Sequence, residues 1–397
     1  MSGDLPLFIG IPGASGKLAP ETAGAKAAQL SRISALGLPV PPAFVLPTTL
    51  CAGVNRNDPE SLAALDHGLR EGIARLSLAS GRRFGDVRAP LLVSVRSGAA
   101  QSMPGMLETI LDVGLNTRTV HGLIGLTGNP RLAWDSYRRF IRGFAEVVEG
   151  APSALFEECL SRMIRAEDVA REGDLDPEAL ERLAGQYLAI AAETAGRAIP
   201  EDPFDQLAAA ARAVYRSWEA PRALHYRRLN TLDELAGTAV TVQAMVFGNA
   251  GGRSGAGVAF SRNPATGAKS LYMDFLFDAQ GEDVVAGRRM AGDESLLAAR
   301  LPEAAQALAD GAARLEREFR DVQDIEFTIE EGRLFFLQTR PAKRTPRAAL
   351  RILLDLVAEG LLDRETARER AARIDPESAR VTRFAAPAPP IATALSA

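Results

Sequence analysis

Cysteine is almost missing from this chain. Of 397 residues only Cys51 and Cys159 carry thiols, and they stand far apart. They make no CxxC pair and no disulfide framework, which points to a reducing compartment, with the cytoplasm the expected location. Histidine is nearly as scarce: His67, His121 and His225 are scattered, and a zinc site is not expected from them. No apolar run approaches the roughly 18 residues of a membrane span. The opening MSGDLPLFIG also lacks the basic and apolar regions of a signal peptide. Nor is there an excess of one charge. Forty-six Lys and Arg against 50 Asp and Glu leave a net charge of −4, so no global basic field exists for nucleic acid or an anionic membrane. Any polyanion must therefore be held by a local cluster. What remains is a 47% hydrophobic, 24% charged composition, that of a globular protein long enough for two or three lobes.

The stretch from Leu91 to Met106 is the best place to look for such a cluster. Leu91 to Val95 alternate and are rich in branched side chains, which predicts a short buried strand ending just before Arg96. Beyond it the period stops, and Gly98, Pro104 and Gly105 sit among small polar residues. A loop of this kind exposes backbone N–H groups and carries a guanidinium to a strand mouth, an arrangement able to grip phosphate oxygens. An ordinary strand-to-loop transition with a surface arginine has the same composition.

Upstream, Glu21 to Leu36 has a helical period with Gly37 as its stop. Lys26 falls in the first turn, where a cation is mildly unfavourable unless an anion is near. A solvated surface lysine is the simpler alternative. GLPVPP at 37–42 is a stiff connector into a short strand, a helix is expected from about 58 to 79, and Glu108 to Leu115 reads as another strand. From 117 to 200 long helical blocks dominate, read as a helical subdomain inserted between sheet-containing parts. Thr238 to Val246 alternates again and enters a glycine-rich segment, 247–257, before the strand Val258 to Ser261. Two strands joined in this way predict a flap whose amides could close over a triphosphate, although glycine-rich tips are also plain turns.

The hairpin Asp324 to Arg340 alternates on both arms. A three-residue turn, Glu330-Glu331-Gly332, would set Asp324 opposite Gln338 and Glu326 opposite Phe336, all on one face. A two-residue turn would put Glu326 and Gln338 on opposite faces. Two carboxylates and an amide oxygen on one face suit a hard cation such as Mg²⁺ shared with a nucleotide. A polar outer face is the other reading. Helices are expected after Arg340, and then a Pro- and Ala-rich linker at 384–390.

Taken together, GLPVPP (37–42), SVRSGAAQSMPGM (94–106), TVQAMVFGN (241–249), SGAGVAFSRNPATG (254–267), AQGEDVVAG (279–287) and QDIEFTIEEGRLFFLQTR (323–340) resemble the N-terminal nucleotide-binding part of the pyruvate, phosphate dikinases, relatives of the ATP-grasp enzymes. The related phosphoenolpyruvate synthases are less similar, since their arginine loop lacks the SMPGM tail. The resemblance implies an α+β, ATP-grasp-like fold of several lobes. These would be an N-terminal lobe (1–116), the helical subdomain (117–200), a C-terminal lobe (201–340) and a helical linker (341–397).

It also implies roles for single residues. Lys26, Arg96 and Arg340 would act on phosphates. Gln243, Met245 and Val246 would hold adenine, and Gly251, Gly255 and Gly257 would cover the triphosphate. Glu326 and Gln338 would bind metal, with Asp324 beside them. ATP and Mg²⁺ are the implied cofactors. Inorganic phosphate and a phosphohistidine domain are the implied partners, with release of AMP and diphosphate. Three features depart from the family pattern: Ala23, Ala25 and Ala27 around Lys26, Gly252-Arg253 in the flap, and Ala268 after the NPATG turn. No histidine has the phosphohistidine-loop context, and 391–397 resembles an entry into that domain. The acceptor is therefore expected on a separate domain or protein.

Overall fold

The computed structural model describes residues 6–380 apart from 15, 102, 104, 282–283 and 285–293. The linker at 384–390, the tail at 391–397 and most of the AQGEDVVAG motif lie outside the described residues. The chain runs through β1 (Leu7–Ile9), α1 (Pro20–Ala35), β2 (Ala43–Leu46), α2 (Cys51–Asn55) and α3 (Pro59–Ser80). It continues with β3 (Arg83–Phe84), β4 (Pro90–Leu91), β5 (Val93–Ala99) and β6 (Thr109–Val113). Helices follow: α4 (Thr119–Thr127), α5 (Pro130–Val148), α6 (Ser153–Ala166), α7 (Pro177–Ala195), α8 (Pro203–Arg216) and α9 (Pro221–Leu229). After them come β7 (Thr238–Ala244), β8 (Gly255–Phe260), β9 (Tyr272–Phe277), α10 (Glu294–Arg300) and α11 (Pro302–Phe319). The hairpin β10 (Gln323–Glu330) and β11 (Arg333–Pro341) leads to α12 (Pro346–Ala358) and α13 (Arg364–Ala371). Local chemistry sets several starts: Asp58, Asp176 and Asp202 accept first-turn N–H groups, with Pro at the head of α3, α7 and α8.

Two larger sheets organise this α+β architecture. The first has the order β1-β2-β7-β5-β6, the second β11-β10-β8-β9. β7 follows residue 201, yet it lies at the centre of the first sheet between β2 and β5. One face of that sheet, with Phe44, Leu46, Val95, Val240 and Val242, shares a continuous core with Leu69, Phe140, Leu183 and Leu207 of the surrounding helices. The helices between 117 and 200 thus bury their apolar stripes against the sheet as well as each other. The opposite face, with Ala43, Val45 and Ala239, joins Ala27 and Leu30 of α1 and Ile325, Phe327 and Phe336 of the second sheet. Helix α1 packs on both β5 and β11.

Three expectations are corrected. The strand predicted to end at Val95 runs on to Ala99, so Arg96 stands within a strand and not at its mouth. Ladder pairing to β7 through Ala99↔Thr238 outweighs the weak strand propensity of Ser97 and Gly98. The strands flanking the glycine-rich segment do not form a hairpin; β7 belongs to the first sheet and β8 to the second, so the segment bridges the two sheets. The β10–β11 turn has two residues, Glu331 (φ 49°) and Gly332 (φ 83°), with Glu330 opposite Arg333. After a register shift beyond Phe327, Asp324 faces Arg340, not Gln338, and Glu326 faces Gln338, not Phe336.

Candidate functional site

The site is built on alternation. On β7, Ala239, Thr241 and Gln243 point away from the helical core, and each pairs with a same-face residue of β5: Gly98, Arg96 and Ser94. This leaves a polar row, Ser94–Gln243 and Arg96–Thr241, on an otherwise apolar surface. Helix α1 crosses that surface. At Gly24 the helix breaks (φ 78°, ψ 155°), and a Cβ there would lie 2.1 Å from the Gly98 carbonyl oxygen. Only glycine lets the helix come so close. The regular turns beginning after Gly24 put Lys26 at a helical N-terminus over the arginine.

The opposing wall is the β10–β11 hairpin. A two-residue turn alone would have put Glu326 and Gln338 on different faces. A register shift after Phe327↔Phe336 makes Leu337 an extra residue, and from there Glu326 pairs with Gln338 and Asp324 with Arg340. One bulge thus lets Phe336 point into the core while Gln338 and Arg340 point at the site. Across the cleft an Arg96 Nη lies 3.8 Å from a Glu326 Oε. Arg340 Nε donates to Asp324 Oδ2 at 2.7 Å. Glu326 and Gln338, joined by the remaining Asp324 oxygen, supply oxygen donors fit for a hard cation. Among the described residues no group of three or more His, Cys, Asp or Glu side chains could hold a metal, so a cation here would have to share its ligands with a bound anion.

The charges converge without cancelling. Lys26, Arg96 and Arg340 face Asp324 and Glu326, and Lys26 makes no ion pair among the described residues. Its amine is lowered to about 8, first by burial and then by the Arg96 cation; Glu326 raises it partway and Arg340 lowers it further. Several buried polar atoms here have no partner among the described residues: Arg96 Nε, Thr241 Oγ1 and Asp324 Oδ1. Buried polar groups are normally satisfied, so such a cluster marks a place completed by a ligand.

Beside this charged corner opens a cavity of about 460 Å³. Its lining includes Leu111, Met245, Val246, Val258, Phe327 and Leu337, with Ser94, Arg96, Thr109, Gln243, Gln280 and Glu326 as polar points. A largely apolar slot with a few polar groups and charges at one end has the form of a site for a flat apolar body with an anionic tail. Gln243 is held by its Nε2, which donates to the Pro41 carbonyl at 3.3 Å. The Ala244 and Met245 N–H groups donate to the Pro42 and Leu92 carbonyls, each at 2.9 Å. These bonds fix the course of the chain past the slot.

The structure therefore brings Lys26, Arg96, Asp324, Glu326, Gln338 and Arg340 together, with Gln243, Met245 and Val246 adjacent. The glycines behave differently from one another. Gly257 lines the cavity with its backbone, and a Cβ on it would strike the Phe327 ring at 2.6 Å. Gly255 is needed for Phe275, whose ring a Cβ would meet at 2.2 Å. Gly251 lies outside the cavity lining, in the bridging segment, where its N–H donates to Asp278 Oδ1 at 3.3 Å. His67 pairs with Glu71 on α3, and His121 packs edge-on against Trp134; neither these nor His225 line the cleft. Sequence reasoning passed over Thr241 and Leu337. The period-two pattern of β7, which places Thr241 beside Gln243, was the available signal for the first.

Comparison with known proteins agrees with this geometry. Residues 61–301 and 299–359 match the family described as pyruvate phosphate dikinase, AMP/ATP-binding domain. The chain is 46% identical over 356 residues to the pyruvate, phosphate dikinase of Clostridium symbiosum, covering 89% of this chain and 40% of that protein. It is 45% identical over 369 residues to the enzyme of Rhizobium meliloti, again covering 89% and 40%. With the chloroplastic enzyme of Flaveria pringlei it shares 45% identity over 347 residues, 87% of this chain and 36% of that one. The chain thus spans about two fifths of the length of these relatives. With a matched family covering most of its length and the cleft described above, the chain belongs to the pyruvate phosphate dikinase AMP/ATP-binding domain family.

Proposed function

We propose that the chain is the ATP-binding phosphotransferase module of a pyruvate, phosphate dikinase-like enzyme, with an ATP-grasp-like arrangement of its lobes. The observation that carries this reading is the single cleft in which Lys26 and Arg96, from the front of the chain, face Glu326 and Gln338 from the back. Adenine would occupy the apolar slot against Met245 and Val246, and the phosphates would run toward the cations. Mg²⁺, when bound with nucleotide, would be held by Glu326 and Gln338 with Asp324 beside them and would neutralise phosphate charge. Lys26, Arg96 and Arg340 would orient the phosphoryl group and spread its charge, which is most of what phosphoryl transfer asks of a protein. The glycine-rich bridge would cover the phosphates from above.

The acceptor would be a histidine on another domain or protein, with inorganic phosphate consumed and AMP and diphosphate released. Two free buried thiols, Cys51 and Cys159, suit work in the reducing cytoplasm. Among the described residues no helix is long and apolar enough to cross a membrane. The test is product analysis with labelled ATP, Mg²⁺ and phosphate, with and without an added phosphohistidine domain. AMP and labelled histidine should form only with the acceptor present. ADP formed without a protein acceptor would instead indicate a small-molecule kinase. Arg96→Ala and Glu326→Ala should abolish transfer while leaving the circular dichroism spectrum intact.

A further inference from the structure

The roles proposed above leave Thr241, a buried polar residue of the cleft, unused. Thr241 lies in the middle of β7 at 5% exposure, and its Oγ1 is buried with no partner. It is not packed away behind the sheet. It pairs directly with Arg96 on the face that bears the site. It also lines the small recess formed with Lys26, Leu30, Gln243 and Gln338. The neighbouring Arg96 Nε is likewise buried and unpaired. Three donors, the Thr241 hydroxyl, the Arg96 Nε–H and the Lys26 ammonium, are therefore gathered around one recess where, among the described residues, no acceptor is bonded to any of them. A buried hydroxyl left unsatisfied destabilises a fold, and alanine or valine would fill this strand position without that cost. Leu337 and Leu30 supply the recess with apolar walls, which strengthens any hydrogen bond made inside it.

We infer that Thr241 is a substrate-binding residue whose hydroxyl donates a hydrogen bond to a phosphate-group oxygen held between Lys26 and Arg96. This rests on the reading of the cleft as a nucleotide site. The phosphate oxygen has two possible sources, the polyphosphate chain of a nucleoside triphosphate or free inorganic phosphate. Valine is the informative replacement, because it keeps the shape and β-branching of threonine and removes only the hydroxyl.

The experiment compares the full chain as wild type, Thr241→Val and Thr241→Ser, by melting without ligand and by calorimetry with Mg²⁺–ATP, AMP and inorganic phosphate. Thr241→Val should melt no lower than wild type and should lose about tenfold or more in affinity for ATP or for inorganic phosphate, the usual effect of removing a hydrogen bond to a charged group. Thr241→Ser should restore most of it, and AMP should bind all three proteins alike. A loss confined to ATP assigns the hydroxyl to the polyphosphate; one confined to inorganic phosphate assigns it to the free ion. A Thr241→Val protein that binds every ligand as wild type does, whether or not its melting point falls, overturns the assignment and leaves the nucleotide reading standing. A wild-type protein that binds neither ATP nor phosphate overturns both.

Discussion

At the scale of single residues, Lys26 makes the cleft sensitive to pH. Its amine falls from the usual lysine range near 10.5 to about 8 in the folded chain. Between those values the unfolded chain holds the extra proton, so stability rises with pH across that window as the unfavourable buried cation is relieved. Binding runs the other way. A polyanion favours charged Lys26, so affinity for Mg²⁺–ATP should fall as pH climbs above about 8, and binding near pH 8 should take up a fraction of a proton. Calorimetry in two buffers of different ionisation enthalpy measures that uptake, and Lys26→Met should abolish it; unchanged uptake in the variant would exclude Lys26 as its source. Arg340 acts at the same scale through Asp324. Because its Nε fixes one Asp324 oxygen and the other is buried without a partner among the described residues, Arg340→Met should weaken metal-dependent nucleotide binding about 10–100-fold, read by titrating Mg²⁺ at fixed nucleotide.

At the scale of elements, α1 and the β10–β11 hairpin decide whether those residues meet. Gly24→Ala forces a Cβ onto the Gly98 carbonyl and a left-handed φ onto alanine. It should cost at least about 1–3 kcal/mol in urea unfolding and lift Lys26 off Arg96, weakening nucleotide binding. Gly37→Ala is the control: its φ is also positive, but nothing lies within 4 Å of the added Cβ, so it should lose only about 1 kcal/mol and keep affinity. Equal effects in the two variants would mean that backbone strain alone, and not the close approach to β5, is at work. These elements also show how far a sequence speaks. The periods of α3 and β7 were legible because they are local. The family motifs contain Arg96, Glu326 and Gln338 directly, while Lys26 lies outside them and came from the wider resemblance. The bulge at Leu337 was not legible, since nothing in LFFLQTR says which residue is skipped. That choice is made by Phe336, which must stay in the core opposite Phe327. The extension of β5 past Arg96 was hidden for the same reason: its hydrogen-bonding partner, β7, lies more than a hundred residues away.

At the scale of the whole molecule, the site depends on two sheets held in one frame, and the chain beyond β11 is tied into that frame by Arg262. This side chain is fully buried just after β8. It donates through Nη2 to Glu316 Oε1 of α11 at 2.6 Å and to Glu359 Oε2, at the end of α12, at 2.9 Å. Ser261 Oγ donates to the same Glu316 at 2.7 Å. One guanidinium therefore joins the second sheet, the helix behind it and the helices that follow the hairpin. Arg262→Met would leave Glu316, itself buried, without its cation, and the expected loss is about 3–5 kcal/mol. The double variant Arg262→Met with Glu316→Leu should recover much of that loss, because a buried ion pair replaced as a unit no longer leaves a stranded charge. Nucleotide affinity, measured well below the melting temperature, should not change in either protein, since Arg262 does not line the cleft. If affinity falls along with stability and the double variant fails to restore it, then Arg262 does more than hold the frame: the orientation of α12 reaches Asp324 and Glu326 through the β8–β10 ladder, where Phe260 pairs with Asp324 and Val258 with Glu326.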